Sequence, residues 1–489
     1  MRKMWFAENK SWSQFRRSLG GFSAIVCKDG STVWAEDAYG KTIAQGEAGV
    51  DDASVIQSAI DNLLERGRIF LKRGVYLISS PISLRRGVIL EGEGYFPSVS
   101  SEGYSTTVLK QAENTDILHL SEVSYCQVKN LALLGDRNYT GNGIVSSRCG
   151  NNWYENLRIT NFKGHAIKMV REWDSYLVNV HAHYCGDTNK EVFLILSENS
   201  TDHTDGVTFI SCGGDNNYWN VARFQGFRIC LYNFDFELSS NDYEGIRFEC
   251  HRSKYFGGQI SGGTGTSNYQ LVIIGGGNKF FGIQFHSKPN AVKVCSGTVT
   301  YNDGTSESFI PYGTAVKGCE FYNQSNYAIF MDTRSTQIIG NMFDAISGVA
   351  IRDYANNNII IGNEFKDLSG TGISVEGADS IIFNNSFYSS TGTPISISDY
   401  ASGYIIKHNK GYATENSGTA TFSGNGTTTQ FSIAHGLVKA PSKVLVTPMT
   451  ADAASDFYVT ADDTNIYINY KSAPPSGTDN LKFSWYAEV

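Results

Sequence analysis

The chain has 489 residues and a formal charge of −8, with 50 glycines, 9 prolines, 18% charged and 13% aromatic residues. This aromatic content with so little charge excludes a disordered chain, and the scarcity of proline excludes collagen. No apolar run reaches the ~20 residues of a transmembrane helix, and an acidic chain without a basic block is not expected to bind nucleic acid or an anionic membrane.

Residues 1–44 begin with basic residues that no apolar stretch follows, which is not the pattern of a secretory signal. We predict that this segment serves in attachment or packing. The nine cysteines are odd in number and include no C-x-x-C pair, which favours free buried thiols. These features predict a protein made in the cytoplasm, and they leave open that it acts on a virion or after release from the cell.

Residues 51–67 have the pattern of an amphipathic helix, which we predict to cap the first coil of a solenoid. Either Asp51 or Asp52 is predicted to N-cap it, and Gly67 to end it. The apolar residues of its stripe are Val55, Ile56, Ala59, Ile60, Leu63 and Leu64. Short strand patterns follow at 68–71, 75–78 and 88–94.

Residues 316–410 repeat with a period of 22 residues. The repeated positions are Phe321, Phe343, Phe365 and Phe387; Ile329, Ile351, Ile373 and Ile395; and Asn341, Asn363 and Asn385. This period is typical of one coil of a parallel β-helix, in which equivalent side chains stack about 4.8 Å apart. We expect the Phe and Ile rows to fill the core and the Asn row to bond the backbone at a turn.

Less regular copies of the strand pattern extend back to residue 128. Their longer spacings indicate loops inserted at 185–206 and 286–315, on a face that often forms a binding surface. After a stretch rich in Gly, Ser and Thr, residues 417–489 contain five or six alternating strand patterns. They predict a small β-sandwich for trimerisation or glycan contact.

The capping helix, the segment GRIFLKRGVYLISSPISL and the segment GVILEGEG follow one another within residues 50–95. This order resembles the N-terminal signature of the pectate-lyase-like superfamily of right-handed parallel β-helix proteins, which includes phage and viral tailspikes. The resemblance covers roughly residues 45–410. It implies an all-β fold, namely a right-handed parallel β-helix (solenoid) over 45–412 with an N-terminal capping helix and a C-terminal β-sandwich.

The resemblance also implies a polysaccharide partner and, from the spikes, a homotrimer. It does not fix the reaction, because the superfamily contains lyases, hydrolases, epimerases and spikes that only bind. The Asn-Thr-Asp, Asp-Asp, Gly-His-Gly and Arg-Ile-Lys motifs of polygalacturonase-like hydrolases do not occur together in this sequence, and the Asp-Pro-His motif of alginate epimerases is missing.

Side chains that alternate along a strand identify the catalytic candidates. If Phe234 and Phe236 point inward, Asp235 and Glu237 point outward. Two residues along a strand span about 6.6–6.8 Å, which suits the ~6.5–9.5 Å carboxyl separation of an inverting glycosidase. We therefore predict a glycan-cleaving enzyme, with a glycoside hydrolase favoured over a polysaccharide lyase.

For the lyase alternative, a base must take the proton next to a uronate carboxyl. His183 is the candidate base, with Tyr184 or His181 as substitutes and Arg158 to neutralise the substrate. A binding-only spike or adhesin, or a structural virion protein, needs no carboxylate pair. The predicted substrate-binding residues are Arg158, His181, Tyr184, Tyr218, Trp219, Gln259 and His286.

Acidic residues are concentrated in the loop around residues 198–206, at Asp202 and Asp205 beside His203, with Asp187 and Asp215 nearby. Calcium requires six to eight oxygen ligands, and the spacing of these residues matches no established calcium loop. We therefore predict no metal or cofactor, with calcium in this loop as the alternative.

Overall fold

The computed structural model describes residues 21–96, 106–238, 244–263 and 268–489, with the backbone of 99–100 and 103–104. The chain winds into a right-handed parallel β-helix whose strands form one sheet of 27 strands and one of 13. The all-β solenoid predicted from the sequence is confirmed. The start of the predicted attachment segment, residues 1–20, lies outside the described residues.

Each regular coil contributes three short strands, which lie on three faces of the helix. The strands of the first face are Gly67–Leu71, Val88–Gly92, Thr208–Ile210, Cys230–Tyr232, Lys254–Phe256, Lys279–Phe281, Ala315–Lys317, Gln337–Ile339, Ile359–Ile361, Ile381–Phe383 and Ile405–Lys407. The strands of the second face are Gly74–Ile78, Thr107–Gln111, Gly213–Gly214, Asp235–Leu238, Gln259–Gly262, Gln284–His286, Glu320–Tyr322, Met342–Asp344, Glu364–Lys366 and Ser386–Tyr388.

The third face is the 13-stranded sheet. Its strands are Ile82–Ser83, Leu118–Ser121, Ile144–Gly150, Ile167–Trp173, Phe193–Leu196, Ala222–Phe227, Ile246–His251, Leu271–Ile273, Asn290–Cys295, Tyr327–Asp332, Val349–Asp353, Thr371–Val375 and Thr393–Ile397. Two antiparallel hairpins extend from the coils, one formed by Val99–Ser100 with Gly103–Tyr104 and one by Gly297–Thr300 with Ser306–Phe309.

The first and second faces meet at a corner where one residue adopts a left-handed conformation. Gly340 and Gly362 occupy this corner with φ of 64° and 65°, a region that glycine enters without steric cost. In the longer strands Gln127–Leu134, Trp153–Thr160 and Tyr176–His183, an asparagine takes the corner, as Asn179 does with φ of 53°. The alternating pattern of this strand predicts that Val178, Val180 and Ala182 point inward and that Asn179, His181 and His183 point outward. This prediction is wrong in part, because the strand bends at Asn179, Val178 is only half-buried and His183 is buried.

The predicted side-chain rows fill and line the interior. The rings of Phe321, Phe343, Phe365 and Phe387 stack with centroid distances of 4.8, 4.9 and 4.5 Å. The Ile row is buried and lies in register between neighbouring coils of the third face. Because each ring packs on its equivalent one coil away, the 22-residue period in the sequence is a direct record of the coil length.

The Asn row is buried and structural, as predicted. Asn363 accepts hydrogen bonds from the main-chain N–H and the side-chain amide of Asn341. It donates its own amide to the carbonyl of Ile338 and to Asn385. Each asparagine therefore satisfies main-chain groups at the turn between two coils, which a buried backbone requires.

The N-terminal part of the described chain closes the first coil. Strands Ala24–Asp29, Thr32–Asp37 and Thr42–Glu47 form an antiparallel meander, and the first of them pairs in parallel with Gly67–Leu71. The helix Asp52–Asp61 packs on this meander and buries Val55, Ile56, Ala59 and Ile60. Both elements cover the end of the solenoid.

Two details of the helix prediction are wrong. The helix ends at Asp61 rather than near Gly67, and Leu64 is 93% exposed instead of joining the buried stripe. Asp51 is the N-cap residue, as predicted, but its side chain makes no capping hydrogen bond. The carboxylate of Asp52 is buried and instead accepts hydrogen bonds from the Lys28 ammonium and from the main-chain N–H of Leu77, so it ties the helix to the meander and to the first coil.

The C-terminal module consists of two three-stranded antiparallel sheets. The first contains Glu415–Gly424, Gly477–Glu488 and Lys443–Pro448, and the second contains Gln430–Ala434, Asn465–Tyr470 and Phe457–Ala461. A short 3-10 helix, Asp452–Ala454, joins two of these strands. Apolar side chains from both sheets share one core, which supports the predicted sandwich. Within the described residues, no helix combines the length and apolar character needed to cross a membrane.

Candidate functional site: a trough on the second face

The strand Asp235–Leu238 places its two carboxylates on the outer surface. Its four side chains alternate between exposed and buried, and Phe236 and Leu238 are only 3% and 7% exposed. Asp235 and Glu237 therefore project side by side from the second face, as the alternation in the sequence predicts.

These carboxylates stand in an open trough with a volume of about 400 Å³. The residues that line the trough are His181, His183, Gly214, Asp215, Asp235, Phe236, Glu237, Gln259 and Ser261. They belong to four consecutive coils, in which His181 pairs with Gly213, Gly213 with Asp235, and Glu237 with Ser261. The parallel stacking of coils thus assembles a polar stripe from residues that are distant in the sequence.

Gly213 and Gly214 occupy the coil between the histidines and the carboxylates. A Cβ on Gly213 would lie 2.0 Å from the carbonyl oxygen of Asp235, and one on Gly214 would lie 1.8 Å from that of Ala182. Only glycine permits this close approach of three backbones. The absence of side chains at these two positions also leaves room above the backbone between His181 and Asp235.

The two carboxylates have different surroundings. Asp235 Oδ1 accepts a hydrogen bond of 2.7 Å from the main-chain N–H of Gln259 on the next coil. Across the described residues, Glu237 has no hydrogen bond or ion pair to the protein and faces the open trough. One carboxylate is therefore held in place, and the other is available to a ligand.

A histidine–aspartate pair lies beside the carboxylates. His183 Nδ1 is 2.5 Å from Asp215 Oδ1, and the His183 ring is buried while Asp215 is partly exposed. The other ring nitrogen, Nε2, has no hydrogen-bond partner among the described residues. Burial alone would raise the pKa of Asp215, but the hydrogen bond and charge of His183, the amide of Asn216 and Arg158 together lower it.

His181 lies next to this pair. Its Nε2 is 3.1 Å from Asn179 Oδ1, and its ring centroid is 6.4 Å from that of His183. Burial, followed by the neighbouring His183 and Arg158, lowers the pKa of His181 below its ordinary value of 6.5, although Asp235 and Asp215 oppose this shift. The ring is therefore a neutral hydrogen-bonding group at neutral pH.

Arg158 continues the stripe one coil before His181, with which it pairs in register. Its guanidinium lies 5.4 Å from the centroid of the Phe96 ring, which is 57% exposed. Tyr95, next to Phe96, accepts a hydrogen bond of 3.0 Å from the amide of Asn179. These contacts place an aromatic surface and a cation at the N-terminal end of the trough.

Five of the predicted substrate-binding residues do not line the trough, and Arg158, which lies at its N-terminal end, is the first of them. Tyr184 follows the strand at a left-handed corner and is 47% exposed. Tyr218 lies under the guanidinium of Arg137, 3.9 Å from it, and Trp219 packs beside Gly186. His286 lies in the same row as Glu237 but two coils further along, where its ring stacks on Tyr322 at 4.6 Å.

The acidic loop that suggested calcium is neutralised by nearby cations instead. Asp202 pairs with Arg171 at 2.6 Å, and Asp205 bonds Arg228 through both oxygens. In the described part of the chain, no group of three or more His, Cys, Asp or Glu residues could hold a metal ion. The nine cysteines are free, and seven of them are buried.

Asp215 and Phe96 are the site residues that sequence reasoning missed. Asp215 follows the strand Gly213–Gly214, and the paired glycines were the signal of a close backbone approach. Phe96 lies in the loop after the GVILEGEG segment, where no periodicity predicted its position.

A family model described as "Right handed beta helix region" matches residues 301–447. The comparison with curated proteins gives no match. Among solved structures, a mutant tailspike protein of E. coli bacteriophage HK620, in complex with a pentasaccharide, has 13% identity and a TM-score of 0.45, with 93% of this chain and 92% of that chain covered.

Two bacterial proteins are also similar. The surface adhesin PfbA of Streptococcus pneumoniae has 12% identity and a TM-score of 0.45, with 72% of this chain and 90% of that chain covered. The A-module of the mannuronan C-5 epimerase AlgE6 of Azotobacter vinelandii has 16% identity and a TM-score of 0.40, with 71% and 97% covered. The coil architecture is that of a right-handed parallel β-helix, and the family model agrees with this fold over residues 301–447.

Proposed function

We propose that this protein binds a neutral polysaccharide along the second face and hydrolyses it in the trough, with Asp235 and Glu237 as the catalytic carboxyl pair. The observation that carries the proposal is that both side chains project from one strand into the same open trough. Clefts that collect titratable groups from several elements are the usual location of active sites.

The spacing of the pair suits an inverting mechanism. Two residues along a strand are about 6.6–6.8 Å apart at their Cα atoms, and an inverting glycosidase needs its carboxyl groups about 6.5–9.5 Å apart, so that a water fits beside the sugar. Asp235, which the main-chain N–H of Gln259 holds in place, suits the base that activates this water. Glu237, which faces the open trough, suits the acid that protonates the leaving oxygen.

The charge of the trough supports a neutral substrate. Asp215, Asp235 and Glu237 contribute three carboxylates, and Arg158 is the neighbouring cation. A polyuronate would bring further negative charges into this environment, and like charges at close range are unfavourable. His181 and Gln259 offer uncharged groups that can bind sugar hydroxyls.

The test uses a panel of neutral and uronic polysaccharides, with new reducing ends as the readout. We expect Asp235→Asn and Glu237→Gln each to lower the rate on a neutral glycan by about 10²–10⁴-fold, which is the usual contribution of general acid–base catalysis. Glu364→Gln is the matched control, because Glu364 also projects from a second-face strand but lies several coils away. Unchanged activity in both trough variants would exclude this carboxyl pair.

A second candidate is elimination on a uronic glycan. It is favoured by the His183–Asp215 pair, because Asp215 orients the ring and leaves Nε2 without a protein partner. In that reaction His183 takes the proton next to the uronate carboxyl, and Arg158 neutralises the substrate. Its signature is the ultraviolet absorbance of an unsaturated uronate together with loss of activity in His183→Gln, while a hydrolase produces reducing ends alone.

A third candidate function is that of a spike or adhesin that binds glycans without cleaving them. It predicts retained binding and no new reducing ends with any member of the panel. The homotrimer and the association with a virion stay predictions from the resemblance, and light scattering of the purified protein tests the first of them.

A further inference from the structure

A second pocket lies under the hairpin formed by Gly297–Thr300 and Ser306–Phe309, at the ends of third-face strands. It has a volume of about 310 Å³ and shares no lining residue with the trough. This volume is within the ~300–1,000 Å³ typical of small-molecule sites. We call it the hairpin pocket, and its lining residues include Phe227, Glu249, His251, Glu307, Phe309 and Tyr312.

The hairpin is fixed in place over the earlier coils. Its turn donates two main-chain hydrogen bonds, from Asn302 to Ser197 and from Asp303 to Glu198. The carbonyl of Thr300 accepts further bonds from Arg223 and Gln225. The pocket beneath it is therefore built into the fold before any ligand arrives, which reduces the entropy cost of binding.

Half of the residues that line the pocket carry an aromatic ring. The ring of His251 stacks on Phe227 at 5.2 Å with an interplanar angle of 26°, and it lies 4.9 Å from Phe309 at an angle of 59°. Tyr312 is 64% exposed at the rim. The C–H face of a pyranose packs well on such rings, because the faces of aromatic rings carry negative charge that attracts its C–H groups.

Polar groups between the rings are mostly uncharged. His251 Nδ1 accepts a hydrogen bond from the main-chain N–H of Gly276, so the neutral ring carries its proton on Nε2 and can donate there. Burial is the main reason that the pKa of His251 and that of His203 lie below their ordinary value of 6.5. Both rings are therefore neutral at neutral pH.

The two carboxylates of the pocket do not form a catalytic pair. Glu249 is buried and accepts hydrogen bonds from Arg223, Arg247 and Gln225, so its charge is compensated. Glu307 accepts a bond of 3.2 Å from the Tyr301 hydroxyl and provides one carboxylate at the wall. A lone carboxylate can bind sugar hydroxyls, but it does not supply both an acid and a base.

We propose that the hairpin pocket is a second saccharide-binding site, which holds one neutral sugar unit by ring stacking and hydrogen bonds without cleaving it. The pocket lies on another face than the trough, and the proposal is independent of any reaction there. If both sites engage the same polymer or surface, the second contact raises the effective concentration of sugar near the protein.

The test is saturation-transfer NMR of the whole chain with methyl glycosides of glucose, galactose, mannose, rhamnose, N-acetylglucosamine and N-acetylgalactosamine. The variant is Tyr312→Ala, whose main-chain bond to Gly277 is unaffected by the substitution. Tyr312→Phe retains the ring, and Tyr400→Ala removes another tyrosine that is 90% exposed. The same titrations are repeated in Asp235→Asn/Glu237→Gln, and thermal unfolding checks that each variant is folded.

We expect at least one glycoside to bind the wild type, the trough double variant, Tyr312→Phe and Tyr400→Ala alike, and to bind Tyr312→Ala about tenfold more weakly. The proposal is overturned if no glycoside binds the wild type, or if Tyr312→Ala binds as well as the wild type. Reducing-end assays on the same variants separate this result from the proposed hydrolysis, because Tyr312→Ala should cleave a short soluble oligosaccharide at the wild-type rate.

Discussion

His183 and Asp215 are joined by a hydrogen bond of 2.5 Å between Nδ1 and Oδ1, although 32 residues separate them in the chain. The inserted loop between their two strands lengthens this coil, and the parallel stacking then returns the chain to the same row. The bond fixes the orientation of a buried imidazole whose Nε2 has no partner among the described residues.

The pair predicts a pH-dependent effect of Asp215→Asn on stability. Burial raises the pKa of Asp215, but the hydrogen bond and charge of His183, together with Asn216 and Arg158, bring it below its ordinary value of 3.8 in the folded protein. Its contribution to the free energy of unfolding is therefore complete above about pH 4 and is lost as the pH falls through the folded-state pKa. Urea unfolding should therefore show that the difference in unfolding free energy between the wild type and Asp215→Asn becomes smaller as the pH falls below about 4.

The same substitution in a His183→Gln background gives the control. If His183 lowers the pKa of Asp215, the effect of Asp215→Asn on the unfolding free energy should depend less on pH in the His183→Gln background than in the wild type. A double-mutant cycle measures this difference. An effect of the same size from pH 3 to pH 7 in the wild-type background would contradict the prediction.

The fold was predictable because its signals are local and repeated. Phe343 and Phe365 are one coil apart in the sequence and in space, and the alternation around Phe236 was sufficient to place Asp235 and Glu237 on the surface. Tyr184 was not predictable in the same way, because a left-handed residue turns the chain where the sequence shows only a continuing strand pattern.

The contacts between site residues on different coils could not be predicted from the sequence either. Asp215 was grouped with the acidic loop because both lie close together in the chain, while the inserted loop actually carries Asp202 and Asp205 to Arg171 and Arg228. Contacts between coils depend on the length of each insertion, and a single irregular insertion hides the register that the regular 22-residue coils reveal.

Glu172 gives a prediction of opposite sign to that of Asp215. Its carboxyl is fully buried, and burial raises its pKa above the ordinary 4.5 despite hydrogen bonds from Ser146, Ser175 and Asn152. The folded state then binds more protons than the unfolded state, so the stability of the wild type should fall as the pH rises from about 4.5 through the folded-state pKa. Glu172→Gln should remove this decline in urea unfolding.

Ser175→Ala provides the companion measurement for Glu172. The Ser175 hydroxyl donates to Glu172 Oε1 and favours the ionised carboxyl, so its removal should extend the decline to higher pH. A wild type that becomes more stable relative to Glu172→Gln as the pH rises would contradict this account.

The Phe row predicts a large difference between two phenylalanines of neighbouring coils. Phe365 is fully buried and stacks on Phe343 and Phe387, while Phe383 is 36% exposed. Phe365→Ala leaves a cavity in a core that cannot collapse along a rigid stack, and it should cost about 3–5 kcal/mol of unfolding free energy. Phe383→Ala should cost clearly less in the same urea titration, and equal losses would contradict the prediction that burial in the Phe row sets the cost.

Gly213 links the fold to the trough. Its ideal Cβ would lie 2.0 Å from the carbonyl oxygen of Asp235, an atom of the backbone that cannot rotate away. Gly213→Ala should therefore push apart the strands that carry His181 and Asp235 and should cost about 1–3 kcal/mol of unfolding free energy, the usual range for overpacking.

Gly340→Ala is a useful contrast, since no atom lies within 4 Å of its Cβ position and only its φ of 64° opposes the substitution. We expect both variants to lose stability, but only Gly213→Ala to lose glycan cleavage under conditions where both remain folded. Retained cleavage in Gly213→Ala would mean that the spacing of these two strands does not determine activity.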